Sequence, residues 1–335
     1  MFMSKKYRLC LLAVFAVFVS EDSHAQDPKF LFPVSCTYGV DCWPVNYVDV
    51  DPSEGVATDF KCKRKTYDAH QGTDFALASV TKMREGVDVL AAAAGQVLRV
   101  RNGEADTYKE QNELDAIRAE NKDCGNGVLI DHGDGLQTIY CHLKKDSIVV
   151  RPKQKVKAGQ KIAQIGMSGY TEFPHVHFGV LWEGGFVDPF TGALNTKGCG
   201  QMKANMWLEG LPVSYEEVII FDGGFRAKVP DFAAIKRGND ENPIALPLSS
   251  AAFVYWSGFY NVEEGDEVVM RIYDPEGALF HERREVVPKT RSLQYYFAGR
   301  KIGRVQLKPG EYKGVTEIKR GSDISRKKEF SVQVK

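Results

Sequence analysis

An excess of charge of either sign is missing from this chain. Its 335 residues hold 44 lysines and arginines against 44 aspartates and glutamates. That balance gives no electrostatic case for binding nucleic acid. Long apolar runs are missing too. Residues 9–19 form an apolar run too short to span a bilayer comfortably, and no later stretch is long and apolar enough to do so. No paired C-x-x-C occurs, which argues against a zinc site built from cysteines. Internal repeats and low-complexity segments are also absent, so solenoids and polar tails are not expected.

What is present begins with a leader. Lys5, Lys6 and Arg8 precede the apolar run, and Ser23-His24-Ala25 follows it as a small-x-small cleavage signal. Residues 1–25 therefore read as a secretory signal peptide, cut before Gln26. Cys10 lies inside the apolar run with no small residue before it, which argues against a lipid-anchored cysteine. The leader takes three bases and two acids with it, leaving 41 bases and 42 acids. Roughly 310 residues remain, more than one core usually holds, so two domains are expected.

Six cysteines stay in the exported part: Cys36, Cys42, Cys62, Cys124, Cys141 and Cys199. An even number in an exported chain implies disulfides. Residues 126–132 and 136–142 read as two strands around a glycine-rich turn at 132–135. This places Cys124 and Cys141 nearly opposite each other and predicts a bridge between them. Cys42–Cys62 and Cys36–Cys199 are the expected remaining pairs. His132 falls in Asp131-His132-Gly133-Asp134-Gly135 and reads as a turn residue.

Two distant stretches carry the chemistry. Asp68-Ala69-His70-Gln71-Gly72-Thr73-Asp74-Phe75 offers an imidazole and a carboxylate four residues apart. Pro174-His175-Val176-His177-Phe178 offers two imidazoles which, in a strand, point to one side. A third stretch, Tyr140-Cys141-His142-Leu143, adds another histidine. Neutral imidazole and carboxylate are common zinc ligands, and three such ligands leave a fourth position open, as catalytic zinc requires. His24 falls in the leader, and His281 has no partner motif.

These three segments, in this order, resemble the lysostaphin-type zinc peptidases that cut bacterial cell-wall peptide cross-links. The family pattern is H-x-x-x-D, a histidine before a leucine, then H-x-H. The intervening Gly125-Asn126-Gly127, Val156-Lys157-Ala158-Gly159 and Gly166-Met167-Ser168-Gly169 also fit. The resemblance spans roughly residues 66–190. It implies one zinc per chain held by His70, Asp74 and His177. It places His142 and His175 unliganded beside the metal, as proton acceptor and oxyanion donor, with the base left open between them. It further implies peptidoglycan peptide stems as substrate and, in a Gram-negative periplasm, a D-alanyl to diaminopimelate bond. Two rival readings stay open: a non-enzymatic activator of another wall hydrolase, or a secreted peptidase acting on proteins or foreign walls. Phe173, before Pro174, departs from the small polar run usual in the family.

The rest of the chain sets the organisation. Residues 26–65 read as an irregular, disulfide-stapled segment with a strand expected over 45–50. Residues 83–100 read as strand and turn. Residues 104–122 read as an insertion with a short solvated helix, either a wall of the substrate groove or a surface excursion. From about residue 205 the chain turns rich in valine and aromatics, with strands expected over 253–260, 267–273, 294–297 and 329–334. Turns are expected at Asp274-Pro275-Glu276-Gly277 and Lys308-Pro309-Gly310. The expected fold is mainly β: an antiparallel β-sheet zinc peptidase domain over 66–204, then an immunoglobulin-like β-sandwich over 205–335, serving as a binding or spacing module or as structural support. Protein partners and oligomeric state are not legible.

Overall fold

A computed structural model describes residues 29–335 except 183, 304, 305 and 323. The expected leader, with Cys10 and His24, lies outside the described residues. The protein is mostly antiparallel β-structure. Among the described residues no helix is long and apolar enough to cross a membrane.

The N-terminal part is built on one sheet. Its strands are β1 (Cys42–Asn46), β2 (Thr73–Leu77), β4 (Gly95–Arg101), β5 (Gly127–Gly133), β6 (Leu136–Cys141), β7 (Lys155–Val156), β9 (His175–Trp182) and β10 (Gly185–Val187). They run in the order β1-β2-β9-β6-β5-β4-β7, with β10 pairing β9. Short strands β3 (Asp88–Leu90) and β8 (Lys161–Gln164) form a separate pair. Alternation sorts the faces of β9. Val176, Phe178 and Val180 enter a core shared with Phe75 and Tyr140, and this leaves His175 and His177 for the opposite face. Phe30 and Trp207, from either end of this region, close the same core.

Local expectations shift in several places. The strand expected over 45–50 is β1, and it starts at Cys42 and ends at Asn46. A short helix, α1 (Val80–Glu85), whose N-cap Ser79 accepts from the Lys82 amide, overlaps the start of residues 83–100 and precedes β3 and β4. The insertion does contain a helix, α2 (Gln111–Ala119), capped by Glu110. His132 belongs to β5 rather than to the turn. Asp134 and Gly135, both with positive φ, make the turn, so the turn is narrower than the expected 132–135 while the second strand begins at Leu136 as expected.

The Cys124–Cys141 bridge is present, but the other pairs are exchanged: Cys36 bonds Cys42, and Cys62 bonds Cys199. The reason is local. Thr37 to Asp41 turn tightly back, and Tyr38 bridges Cys42, which brings Cys36 beside the start of β1. The backbones near Cys62 and Cys199 are already tied, by Gly200 N–H donating to the Phe60 carbonyl.

The C-terminal part packs two sheets over one core. One sheet holds β11 (Ile219–Arg226), β13 (Ala252–Val262) and β16 (Arg291–Lys301). The other runs β12 (Ala245–Leu246), β18 (Ile324–Val334), β17 (Gly310–Arg320), β14 (Glu267–Tyr273), β15 (Leu279–Val286). Phe225, Phe253, Phe259 and Ala298 from the first meet Met270, Ile272, Tyr312 and Val332 from the second. A short helix, α3 (Phe232–Lys236), follows β11.

The two parts join through a third apolar cluster. Trp43, Val45 and Ala76 of the first pack on Ile219, Phe221 and Tyr260 of the second. Asn261 donates to the Val45 carbonyl at 2.9 Å. Beside it, buried Lys65 pairs with Glu217 at 2.6 Å, and Arg320 grips Asp266 through two bonds of 2.8 Å. The apolar cluster fixes the C-terminal sandwich against β1 and β2, and the Lys65–Glu217 pair adds a polar tie between the two parts.

Candidate metal centre and substrate groove

The register of three strands assembles the site. On β2 and β9, Asp74 lies directly across from His177, and on β6 and β9, Cys141 lies across from His177. His142 is therefore the first residue past the end of β6, beside His177. It has φ +59, a left-handed conformation that is uncommon outside glycine. Its amide donates to the Cys124 carbonyl, next to the disulfide at Cys141. His70 follows Ala69, also left-handed, three residues before β2 begins.

The donor atoms converge. His70 Nε2 lies 3.1 Å from Asp74 Oδ1 and 3.0 Å from His177 Nδ1, and His177 Nδ1 lies 3.0 Å from Asp74 Oδ1. His70 Nδ1 sits 2.7 Å from the Tyr47 carbonyl. A carbonyl only accepts, so this nitrogen carries the proton and Nε2 turns a lone pair inward. Asn46 donates to the other Asp74 oxygen, Oδ2, at 2.9 Å. Burial works to raise the Asp74 carboxyl. The His70 and His175 rings and the hydrogen bond from His177 outweigh it and hold the group well below the usual carboxylate range. Burial, first of all, pulls His177 below its ordinary value. Two imidazole nitrogens and a carboxylate oxygen, turned on one point inside the protein, repel one another unless a cation or proton lies among them. They match the donors of a zinc site, and the residues fit that ion. Gly72 permits the arrangement, because a Cβ there would stand 2.6 Å from the His177 ring.

The other two histidines are pinned alike. His142 Nδ1 lies 2.8 Å from the Ser168 carbonyl, and His175 Nδ1 lies 3.0 Å from the Phe173 carbonyl and 3.1 Å from Thr171 Oγ1. Each ring thus spends its Nδ1 proton on a carbonyl and leaves Nε2 as the acceptor. Burial, followed by the neighbouring His175 and His177, pulls His142 well below its ordinary value, so it is neutral at pH 7. His175 Nε2 is buried without a hydrogen bond, 3.5 Å from Asp74 Oδ1 and so beyond good bonding distance. The glycine motifs serve His142. A Cβ on Gly125 would lie 2.3 Å from the Ser168 backbone, so only glycine lets the two loops meet and brings the Ser168 carbonyl to the ring.

All five sequence-derived residues, His70, Asp74, His142, His175 and His177, line a single groove of about 930 Å³. His132 is elsewhere, bonded to the Ala94 carbonyl and Thr138. His281 lies on β15, outside the groove. Several groove residues have no sequence motif. Tyr67 stacks on His70 at 4.2 Å, and Arg118 of α2 lies over Tyr170 at 3.9 Å, so the insertion does line the groove. Asn46 and Tyr47 orient two of the three donors, yet lie in a segment without motif residues. Only recognition of β1 as the neighbour of β2, with Asn46 registered on Asp74, would have found them. Phe173, the departure from the family pattern, stacks on His175 at 4.5 Å and packs on Tyr260 of β13 at 5.5 Å.

Residues 68–189 match Peptidase family M23, and this stretch of the chain is a lysostaphin-type domain of that family. The chain is 35% identical over 112 residues to "Peptidoglycan DD-endopeptidase ShyB" of Vibrio cholerae, covering 33% of this chain and 20% of that protein. It is 42% identical over 65 residues to "Murein hydrolase activator NlpD" of Escherichia coli, covering 19% of this chain and 16% of that protein. Among solved structures it is similar to a zinc-containing peptidase from Vibrio cholerae, with 30% identity, a TM-score of 0.29, and coverage of 45% of this chain and 40% of that one. The chain thus matches about a fifth of the length of its curated relatives.

Proposed function

We propose that this protein is an exported, zinc-dependent endopeptidase that hydrolyses peptide cross-links of peptidoglycan, at a D-alanyl to diaminopimelate bond. One observation carries the reading. The inward-facing donors of His70, Asp74 and His177 are complete, and two further histidines beside them keep free Nε2 acceptors. Zinc held there would supply Lewis acidity and a water of lowered pKa. The chain supplies the proton transfers. A neutral imidazole whose Nδ1–H is committed accepts at Nε2. Once protonated, that same atom donates, to the tetrahedral oxygen or to the leaving amine. His142 and His175 both have Nδ1 committed in this way, and they share these two tasks.

The second reading, an activator of another wall hydrolase, draws on the likeness to NlpD. Digestion of purified sacculi separates the two. The protein without residues 1–25 is expected to release uncross-linked muropeptides alone, and to stop doing so with a chelator. Release only when a second wall hydrolase is added would overturn the peptidase reading in favour of the activator.

Asn46 has a place in this scheme as a positioning residue. Its amide holds Asp74 Oδ2 and so aims Oδ1 at the metal position. Asn46→Ala is expected to weaken zinc binding about 10–100-fold, the usual effect of removing a partner that orients a ligand. Competition against a chromophoric chelator reads this directly. Unchanged affinity would mean that Asp74 is held without Asn46.

A further inference from the structure

We propose that the C-terminal sandwich is a wall of the substrate groove, with Leu293 and Ser292 of β16 as specificity-determining residues for a long peptide substrate. This rests on the peptidase reading of the site. The sandwich is expected from sequence as a spacer, a binding module or a support, but its position is more specific than any of these. Tyr260, Ser292 and Leu293 line the same groove as His70, His142, His175 and His177. The contact reaches the chemistry through one aromatic row: Phe221 against Tyr260 at 4.4 Å, Tyr260 against Phe173 at 5.5 Å, Phe173 against His175 at 4.5 Å.

The wall is fixed. The apolar cluster of Trp43, Val45, Ala76, Ile219, Phe221 and Tyr260 lies behind it, and Asn261, next to Tyr260, is bonded to the Val45 carbonyl. Across the groove, α2 is tied to the same sandwich by an ion pair between Arg237 and Glu110. A groove of this volume holds more than the two residues that flank a scissile bond. Phe173 and Leu293 are partly buried and leave an apolar surface open to it, while Ser292 is exposed at its edge. The occupant that fits is an extended peptide with an apolar side chain laid on Phe173 and Leu293, one or more residues from the bond cut. Remote contacts of this kind are made in ground state and transition state alike, so they act through KM more than through kcat.

Two experiments test this. In the first, Leu293→Ala is compared with the unmodified protein on a cross-linked muropeptide dimer and on a short peptide containing only the scissile bond and its two flanking residues. The ratio of kcat/KM for the dimer to that for the short peptide is expected to fall about tenfold, mainly through KM, the scale of a lost apolar contact in a specificity pocket. An unchanged ratio would overturn the proposal. In the second, Ser292→Cys is labelled with a bulky maleimide. All six described cysteines are in disulfides, so the new thiol is unique among them. Labelling is expected to block hydrolysis of the dimer, and bound dimer to slow labelling. The same label on Val286→Cys, exposed on β15, should do neither. Full hydrolysis by labelled Ser292→Cys would overturn the wall. Failure of the peptidase reading looks different: the unmodified protein cuts nothing. The wall is then still decided by whether muropeptide protects the thiol.

Discussion

Replacing His177 with alanine is expected to abolish both zinc binding and hydrolysis. His177 supplies one of three protein donors, and its Nδ1 stands 3.0 Å from each of the other two. With it gone, one imidazole and one carboxylate remain, too few for a catalytic zinc site. The cost to the fold is expected to be small. The ring lies on the groove side of β9, while Val176 and Phe178 on either side hold the strand in the core. Elemental analysis should therefore find less than a tenth of a zinc per chain in a protein with an unchanged circular dichroism spectrum. Full zinc content with normal turnover would remove His177 from the ligand set. Retention of zinc here, combined with its loss in a His175 variant, would mean that the two members of His-Val-His have exchanged roles. The geometry gives the reason to expect otherwise: His175 Nδ1 is turned away to the Phe173 carbonyl, and its Nε2 stays outside bonding distance of Asp74.

What could be read from the sequence, and what could not, divides along one physical line. His175 and His177 are legible because a strand's alternation converts spacing directly into direction, whereas His70, which lies before β2 begins, is legible with Asp74 only through the H-x-x-x-D of the family resemblance. Cys124 and Cys141 are legible because a hairpin puts its ends side by side, and its turn, Asp134-Gly135, falls within the glycine-rich stretch that announces it. The partners of these groups are not legible in the same way. Asn46 meets Asp74, and Tyr47 meets His70, only because β1 adds to the edge of the sheet next to β2, and nothing in the spacing of residues 26–65 announces that pairing. The exchanged disulfides have the same origin. Cys36–Cys42 depends on a tight turn before β1, and Cys62–Cys199 on where the chain returns after the sheet is complete. Phe173 shows the limit most plainly. By itself it departs from a motif, and its role becomes visible only with Tyr260, 87 residues later, packed on its other side.

Alanine at His142 or His175 should produce the opposite pattern to His177: zinc retained, activity lost. Neither ring is among the three converging donors. His142 is bonded through Nδ1 to Ser168, and its imidazole is kept neutral by burial and by the rings of His175 and His177. A neutral ring with a free Nε2 can take a proton at pH 7, which a cationic ring could not. Removing it leaves His70, Asp74 and His177 in place, so zinc should stay near one per chain. Hydrolysis should fall by roughly two to four orders of magnitude, the usual range for a positioned acid–base group or an oxyanion donor. The two variants should differ in pH dependence. Either imidazole can accept a proton at Nε2 and then return it, but only one of the two takes the first proton, from the attacking water. The variant that loses the acceptor should therefore lose the acidic limb of its pH–rate profile, because no essential base is left to be protonated. The other should keep that limb at lower amplitude. Zinc content, wall hydrolysis and pH profile measured in parallel on both variants identify the base. Unchanged hydrolysis in both would exclude histidine-assisted proton transfer, and loss of zinc in either would place that ring among the ligands.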